Sequence, residues 1–288
     1  MRILITGAFG QLGHALQSIL SKKSNYELIC TGRKIKKGQK GIPLDIRNQV
    51  ALKELINTTA PDILINLAAM TNVDACELNP KLAGEINVAG LEHICDSFKG
   101  KIIHLSTDYV FDGTSGPYKE DDPLNPISIY GKTKLASEHI LLEKDIKNLV
   151  IRGNVLYDYS PHTSASFLNW VVSSLKGNQE IKVVEDQFNN PTWTRSMSDI
   201  IKLSIENDLE GIIHWGDSEH ISRFEFAKLI AKKFSLNESL IKPVLTSELN
   251  QPARRPLQSG LSTEKLVNML NIIPPSIDDC LNEIIKTI

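Results

Sequence analysis

Residues 3–13 have the sequence Ile3-Leu4-Ile5-Thr6-Gly7-Ala8-Phe9-Gly10-Gln11-Leu12-Gly13. A short apolar strand thus leads into glycines spaced G-x-x-G-x-x-G, and a helical pattern follows. The first glycine permits a tight turn, the second lets a phosphate approach bare backbone, and the third allows close helix–strand packing. The free N–H groups at the helix start attract the same phosphates. The stretch predicts a dinucleotide-binding turn, with cofactor contacts from Gly7, Gly10, Gln11, Leu12 and Gly13.

Short apolar runs alternate with longer amphipathic stretches through the first half of the chain. Strands are predicted at 3–6, 27–31, 63–67, 102–106 and 149–152, and helices at about 11–22, 47–58, 80–97 and 128–143. Parallel strands need crossover connections of about a dozen residues, and near-continuous apolar strands suit a sheet covered on both faces. The pattern predicts an α/β fold, a Rossmann-type doubly wound parallel sheet, over residues 1–155.

The regular alternation of short apolar runs and longer amphipathic stretches becomes less clear after about residue 155. The pattern there predicts a helix near 165–176, strands at 181–184 and 211–215, and a helix at 222–234. We expect residues 156–288 to form mostly a smaller C-terminal, substrate-binding lobe. The last elements of the Rossmann domain are expected from residues 192–216 and 240–262.

The end of the second strand decides which dinucleotide fits. A carboxylate there accepts a hydrogen bond from the ribose 2′-OH of NAD, whereas a basic residue suits a 2′-phosphate. The chain has Cys30-Thr31-Gly32-Arg33-Lys34 at this point, without a carboxylate. NADP(H) is therefore favoured, with Arg33 as the main phosphate partner and Lys34 as support. NAD(H) stays open, because a solvated basic loop has the same sequence.

Other segments are expected to line the cofactor. Asp45 and Ile46 follow a short third strand and are placed beside the adenine. Small residues after the next strand let backbone approach the cofactor, and Leu105 lies near the end of a later strand. These expected contacts are Asp45, Ile46, Leu67, Ala68, Ala69 and Leu105.

Tyr130 and Lys134 are four residues apart at the start of a predicted helix, so they share a face. A free phenol has a pKa near ~10, and a neighbouring ammonium lowers it by favouring the phenolate. The pair therefore predicts a proton-transfer site, and the lysine is placed to bond the nicotinamide ribose as well. Hydroxyl-bearing residues, Ser106 and Thr107 among them, lie at the end of the strand predicted at 102–106, at the sheet edge where ligands bind, and are candidates to hold the substrate oxygen.

These motifs together resemble the extended short-chain dehydrogenase/reductases, and more narrowly the dTDP-4-dehydrorhamnose reductase family. The resemblance rests on the glycine turn and on the segments 66–74, 106–113, 130–134, 186–192 and 255–261. It implies NADPH-dependent reduction of a 4-keto-6-deoxy sugar carried on a nucleoside diphosphate, with Thr107, Tyr130 and Lys134 as the catalytic residues. It also implies a monomer or a homodimer.

The resemblance implies substrate contacts from Thr107, Asp108 and Tyr109, and from Arg255 to the nucleotide part. The family often carries a tryptophan near the sugar. Alignment on Arg152 and Tyr157 puts Val155 at that position, which leaves the identity of the sugar open.

Two alternative functions stay open. Gly211-Ile212-Ile213-His214-Trp215-Gly216 and the helix after it resemble the regulatory β subunit of methionine adenosyltransferase, which binds NADP and attaches to another enzyme. The second alternative is a nucleotide-sugar epimerase or dehydrogenase of the same superfamily.

The overall composition of the chain excludes several other classes of protein. The net charge of −2 gives no global attraction to nucleic acid or anionic lipid. The cysteines, Cys30, Cys76, Cys95 and Cys280, are too far apart for a disulfide scaffold or zinc ribbon, and the histidines are equally dispersed, so no metal site is expected. No apolar run approaches the ~20 residues that span a bilayer, and no secretory signal is recognisable. A cytoplasmic location is expected.

Overall fold

The structure, a computed structural model, describes residues 1–22, 25–144, 146–159 and 166–288. The strands within these residues are β1 (Arg2–Thr6), β2 (Glu27–Gly32), β3 (Ile42–Pro43), β4 (Ile63–Asn66), β5 (Lys101–Thr107), β6 (Leu149–Gly153), β7 (Leu156–Tyr157), β8 (Ile181–Val184), β9 (Phe188–Asn189), β10 (Thr192–Trp193), β11 (Gly211–His214), β12 (Ile221–Ser222) and β13 (Ile241–Val244).

The α-helices of the same residues are α1 (Gln11–Leu20), α2 (Gln49–Thr59), α3 (Val73–Leu78), α4 (Pro80–Gly84), α5 (Gly90–Ser97), α6 (Ile129–Leu142), α7 (Phe167–Lys176), α8 (Thr194–Glu206), α9 (Arg223–Lys233), α10 (Glu264–Leu270) and α11 (Ile277–Ile285). A π-helical stretch, Glu85–Ala89, joins α4 to α5, so the helix predicted at 80–97 is interrupted in its middle. Residue 165, where the next helix is predicted to begin, lies outside the described residues.

Seven parallel strands form the main sheet in the order β11-β6-β5-β4-β1-β2-β3. The order reverses direction at β1, which pairs with β2 on one side and β4 on the other. A ligand-binding crevice is expected at the carboxyl ends of strands that flank such a switch point. The predicted doubly wound parallel sheet is confirmed.

Both faces of this sheet are covered, as the apolar strands predict. Ile3 and Ile5 belong to a core that includes α1 and α8, whereas Leu4 points into the opposite core with α2 and α5. All three side chains are completely buried. Alternate residues of a strand face opposite sides of a sheet, so a strand between two helical layers is apolar at every position.

The second half of the chain builds a third core. Tyr157, Leu168, Phe226, Ile241 and Leu281 pack together there, bringing α7, α9 and α11 against the small β8–β13 sheet.

The division of the chain into two domains at residue 155 stays a prediction, and two features of the sheet topology are relevant to it. The segment 192–216 supplies β11, which pairs with β6 at the edge of the main sheet.

The segment 240–262 is placed differently from the expectation. Its strand β13 pairs with β8 in a separate two-stranded sheet and not with the main sheet. The edge beside β6 is already taken by β11. Pro243 lies within β13, and a proline is tolerated best on a short edge strand because it lacks an N–H donor.

The sequence pattern did not predict α8. Its start has no side-chain cap, because Trp193 occupies the N-cap position. Its buried face mixes Met197, Ile200 and Ile201 with small hydroxyl residues such as Ser198 and Ser204. The apolar residues on that face nevertheless recur at helical spacing, so the amphipathic signal was present and sequence reasoning missed it. In the described part of the chain, none of the helices has the length and apolar character of a membrane span.

Candidate active site

A cleft of about 770 Å³ opens along the carboxyl ends of β1, β4 and β5. The residues predicted as site residues that line it are Gly7, Gly10, Gln11, Leu12, Gly13, Arg33, Asp45, Ile46, Leu67, Ala68, Ala69, Leu105, Thr107, Asp108, Tyr109, Tyr130 and Val155. Three further predicted residues, Lys34, Lys134 and Arg255, lie outside its wall. The fold therefore gathers segments from 7 to 155 around one cavity.

The glycine turn forms one end of the cleft, and its backbone tolerates no side chain at two positions. Gly7 has φ +68°, and a Cβ there would lie 2.7 Å from the backbone nitrogen of Ala68. A Cβ on Gly13 would lie 2.3 Å from the Ala8 carbonyl oxygen, where α1 packs against the end of β1. These are the tight turn and the close helix–strand contact that the spacing predicts.

Unpaired donors face this end of the cleft. Gly10 is the N-cap of α1 and provides no side-chain cap, so the first N–H groups of the helix keep their positive partial charge. The Nε2 of Gln11 is buried without a hydrogen-bond partner, and Gln11 lines the cleft. A buried donor of this kind is costly unless an acceptor reaches it, so the turn fits a ligand with phosphate oxygens.

Arg33 and Asp45 stand on the wall beyond the glycine turn. Arg33 is exposed and lines the cleft, whereas Lys34 is exposed outside the wall. Asp45 Oδ2 accepts from Arg47 Nη2 at 2.6 Å, and this contact holds the pKa of Asp45 below its usual value. The cleft therefore offers a free basic side chain beside a carboxylate that is already paired.

Tyr130 lies on the first turn of α6. The helix start is fixed by Ser128, whose Oγ accepts from the N–H of Gly131 at 3.2 Å. Gly131 must be a glycine, because a Cβ there would lie 2.1 Å from the Tyr109 carbonyl oxygen. This close approach brings the Tyr130 ring edge-on to the Tyr109 ring, with centroids 5.5 Å apart.

Burial raises the pKa of the Tyr130 phenol above its ordinary value, and the nearby Thr107 hydroxyl opposes that shift only in part. Thr107 Oγ1 donates to Asp108 Oδ1 at 3.0 Å. At neutral pH the phenol therefore carries its proton, ready to donate it. The structure thus brings together Tyr130 and Thr107, which the sequence separates by 23 positions (130 − 107).

Lys134 lies one helical turn further, behind the wall. Its Nζ donates to the Leu105 carbonyl oxygen at 2.7 Å and lies 2.9 Å from His104 Nε2. Burial lowers the pKa of Lys134 to about 8, and the negative charge of Glu138 opposes that shift. The ammonium is therefore close to its titration point at neutral pH.

A chain of buried polar side chains supports Lys134 from inside the sheet. Thr6 Oγ1 donates to Asn66 Oδ1 at 2.6 Å, and Asn66 Nδ2 lies 3.0 Å from His104 Nδ1. Burial, aided by the charge of Lys134, holds the pKa of His104 well below its ordinary value. Sequence reasoning missed this chain; its signal is a polar residue in each of three otherwise apolar strands.

The residues predicted to contact substrate differ in their exposure, their backbone conformation and their hydrogen-bond or ion-pair partners. Asp108 is 2% exposed, and its Oδ2 accepts from Ser259 Oγ at 2.6 Å. Val155 lines the cleft with φ +39°, a rare and costly conformation for a β-branched residue. Arg255 is paired with Asp74 Oδ2 at 2.8 Å. Sequence reasoning missed Arg223, which lines the same cleft.

Comparisons with known proteins agree with this geometry. A dTDP-4-dehydrorhamnose reductase from Aggregatibacter actinomycetemcomitans is 30% identical, over 95% of this chain and 94% of its own length. A crystal structure of dTDP-4-dehydrorhamnose reductase from Bacillus anthracis, in complex with NADP, superposes with a TM-score of 0.91 at 30% identity, covering 100% of this chain and 99% of the other.

A second group of similar proteins is named methionine adenosyltransferase 2 subunit beta. Methionine adenosyltransferase 2 subunit beta from Xenopus laevis is 31% identical, over 93% of this chain and 82% of its own length. The RmlD substrate binding domain family matches residues 1–288. The chain belongs to the RmlD substrate binding domain family.

Proposed function

We propose that this protein reduces the 4-keto group of a nucleoside-diphosphate 4-keto-6-deoxy sugar with NADPH, acting as a dTDP-4-dehydrorhamnose reductase. The observation that carries the proposal is that Tyr130 and Thr107 line one cleft together with the glycine turn. Relatives named dTDP-4-dehydrorhamnose reductase, similar over nearly the whole chain, support the same substrate.

NADP(H) is the cofactor that the cleft fits best, with NAD(H) as the alternative. The α1 start and the unpartnered Gln11 Nε2 match the pyrophosphate end, and Arg33 matches a 2′-phosphate. Asp45, Ile46, Leu67, Ala68, Ala69 and Leu105 would line the adenine and the rest of the cofactor. When bound, NADPH supplies the hydride.

The side chains of the protein carry out the proton transfer to the substrate. Tyr130 Oη gives its proton to the substrate carbonyl oxygen, leaving a phenolate. The Thr107 hydroxyl has one proton, which it gives to Asp108 in the structure, and we assign it to turn that proton to the substrate oxygen when the sugar binds. We assign the Lys134 ammonium, one turn away, to favour the phenolate electrostatically and to bond the nicotinamide ribose with the donor left after its contacts with Leu105 and His104.

The sugar occupies the part of the cleft beyond Thr107. We assign Asp108, Tyr109 and Val155 to its wall, with Arg255 near the nucleotide end. Because both carboxylate oxygens of Asp108 are engaged with Thr107 and Ser259, its role is to hold the strand end and not to bond the sugar.

An activity assay tests the proposal. The protein should oxidise NADPH only when a 4-keto-6-deoxy nucleotide sugar is present. Tyr130→Phe should lower kcat by about 10²–10⁴-fold while NADPH still binds, because general acid catalysis contributes that much. Tyr26→Phe, which packs on the first core away from the cleft, is the matched control. Near-normal turnover by Tyr130→Phe would refute the assignment of the proton donor.

A regulatory role is the second candidate, favoured by the relatives named methionine adenosyltransferase 2 subunit beta. A stable complex with a methionine adenosyltransferase, together with absence of turnover on every keto-sugar nucleotide, would favour it. The intact Tyr130–Thr107 pair favours catalysis. A cytoplasmic location and a homodimer stay predictions, and sedimentation of the purified protein tests the second.

A further inference from the structure

Arg223 is held at the cleft by the start of α9. Ser222 Oγ accepts from the N–H of Glu225, and the Glu225 carboxylate accepts from the N–H of Ser222, which forms a capping box. The N–H of Arg223 donates to the Gln187 carbonyl at 3.0 Å. These bonds fix the backbone, so the position of the side chain follows from the helix start.

The half-buried guanidinium of Arg223 lies over an aromatic ring and has no ion-pair partner among the described residues. Its central carbon lies 5.4 Å from the centre of Phe167, which also lines the cleft. Its Nε is buried and has no hydrogen-bond partner. Within the described part of the chain, arginine ion pairs are formed by Arg47, Arg152 and Arg255, and Arg223 is not among them.

The acids near Arg223 do not neutralise it by contact. Asp108 acts on Arg223 through space, but its two carboxylate oxygens accept from Thr107 and Ser259. An arginine keeps its charge in proteins, and a charge that is partly withdrawn from water without a partner is unfavourable. A cation placed in a ligand cleft in this way indicates that the ligand brings the anion.

We propose that Arg223 binds the diphosphate of the nucleotide-sugar substrate, an inference that rests on the proposed function. A planar guanidinium matches phosphate oxygens with paired hydrogen bonds. The diphosphate is attached at C1 of the sugar, across the ring from the C4 carbonyl at Tyr130. Arg223 lines the same cleft as Thr107 and Tyr130, so one bound nucleotide sugar can contact all three.

Two other assignments fit less well. The pyrophosphate of the cofactor is expected at the glycine turn, where the α1 start and Gln11 supply donors. Arg255 has its charge matched by Asp74 Oδ2 at 2.8 Å, and its Nη1 donates to the Ala253 carbonyl. Arg223 is thus the cleft arginine whose donors are left for the substrate.

Calorimetric titration of the NADP-bound protein with dTDP and with thymidine tests this proposal without turnover. Arg223→Met should raise the Kd for dTDP by about 10- to 100-fold, the value of a charge-assisted hydrogen-bonded contact, and leave thymidine binding unchanged. Arg223→Lys keeps the charge but loses the planar fork, so its loss should be intermediate. Arg195→Met removes an exposed arginine that lies over Trp193, and should stay within about twofold of the native protein.

Retained NADP binding shows that each variant is folded. Unchanged dTDP affinity in Arg223→Met, or an equal loss of thymidine affinity, would overturn the assignment, since Arg223 would then only pack on Phe167. If the methionine variant does not fold, the lysine variant decides, because native dTDP affinity there also overturns it. Failure of the native protein itself to bind dTDP would contradict the proposed function, a result distinct from failure of Arg223 alone.

Discussion

Lys134 Nζ donates to the carbonyl oxygen of Leu105 at 2.7 Å, and this bond ties the helix that carries Tyr130 to the strand end that carries Thr107. Leu105 lies two positions before Thr107 in β5. The ammonium is therefore a positioning group as well as a charge. Lys134 can act both as a positioning group and as a positive charge only while its amine is protonated.

Activity should fall as the pH rises through about 8. Burial lowers the pKa of Lys134 to about 8, so the ammonium is present below that pH and lost above it. In the proposed mechanism this ammonium favours the Tyr130 phenolate. The measurement is kcat/KM for NADPH against pH, which reports groups of the free enzyme. Lys134→Arg keeps its charge, and any activity it retains should not fall in this range. The same fall in the arginine variant would assign it to another group.

Arg33→Ala should change the cofactor preference. Loss of a charge-assisted bond to the 2′-phosphate should raise the KM for NADPH by about 10- to 100-fold and leave the KM for NADH nearly unchanged. Lys34→Ala, which removes an exposed cation outside the cleft wall, is the comparison and should have the smaller effect. Equal losses with both cofactors, or a native preference for NADH, would show that Arg33 does not contact the 2′-phosphate.

The buried ion pair between Arg152 and Glu138 should matter more for stability than any exposed pair. Arg152 Nη2 and Nε donate to the two carboxylate oxygens of Glu138 at 2.7 and 3.0 Å, and both side chains are essentially unexposed. Glu138→Ala should lower the free energy of unfolding by about 3–5 kcal/mol, because it strands a buried cation. Glu283→Ala, which breaks an exposed pair with Lys286, should have a much smaller effect, because water screens an exposed ion pair. Denaturant unfolding compares the two, and similar losses would contradict this reading.

Asp217 should make stability depend on pH. Burial raises its pKa to about 7, and Tyr157 donates to its Oδ2 at 2.5 Å. The folded state therefore holds the proton more tightly than the unfolded chain. This contribution to stability is fully present below about pH 4 and is lost as the pH rises through about 7. Asp217→Asn should lack that decline in unfolding experiments, and an identical decline in the variant would exclude Asp217 as its source.

The sequence allowed the sheet and the cofactor end of the cleft to be predicted, because their chemistry is local. Gly7 takes a left-handed backbone conformation in the turn, and a Cβ on Gly13 would meet the nearby Ala8 carbonyl. The strands are apolar because both faces of the sheet are covered. Helix α8 was not predicted, although Met197, Ile200 and Ile201 recur at helical spacing; its start lacks the side-chain cap that would mark it.

The substrate end depends on contacts between residues far apart in sequence. Arg223 reaches the cleft only because α9 packs in the third core, and no local pattern marks it. Arg255 was chosen from the family resemblance, whereas the structure pairs it with Asp74. The chain from Asn66 to His104 likewise depends on the pairing of β4 with β5.

Isotope transfer tests the central claim most directly. The protein is incubated with NADPH doubly deuterated at the nicotinamide C4 and with dTDP-4-dehydrorhamnose, and the sugar product is analysed by mass spectrometry and NMR. The account predicts a reduced sugar with deuterium on C4, formed by the native protein and far more slowly by Tyr130→Phe. A sugar that is not reduced or carries no deuterium at C4, although NADPH and the nucleotide both bind, would contradict it.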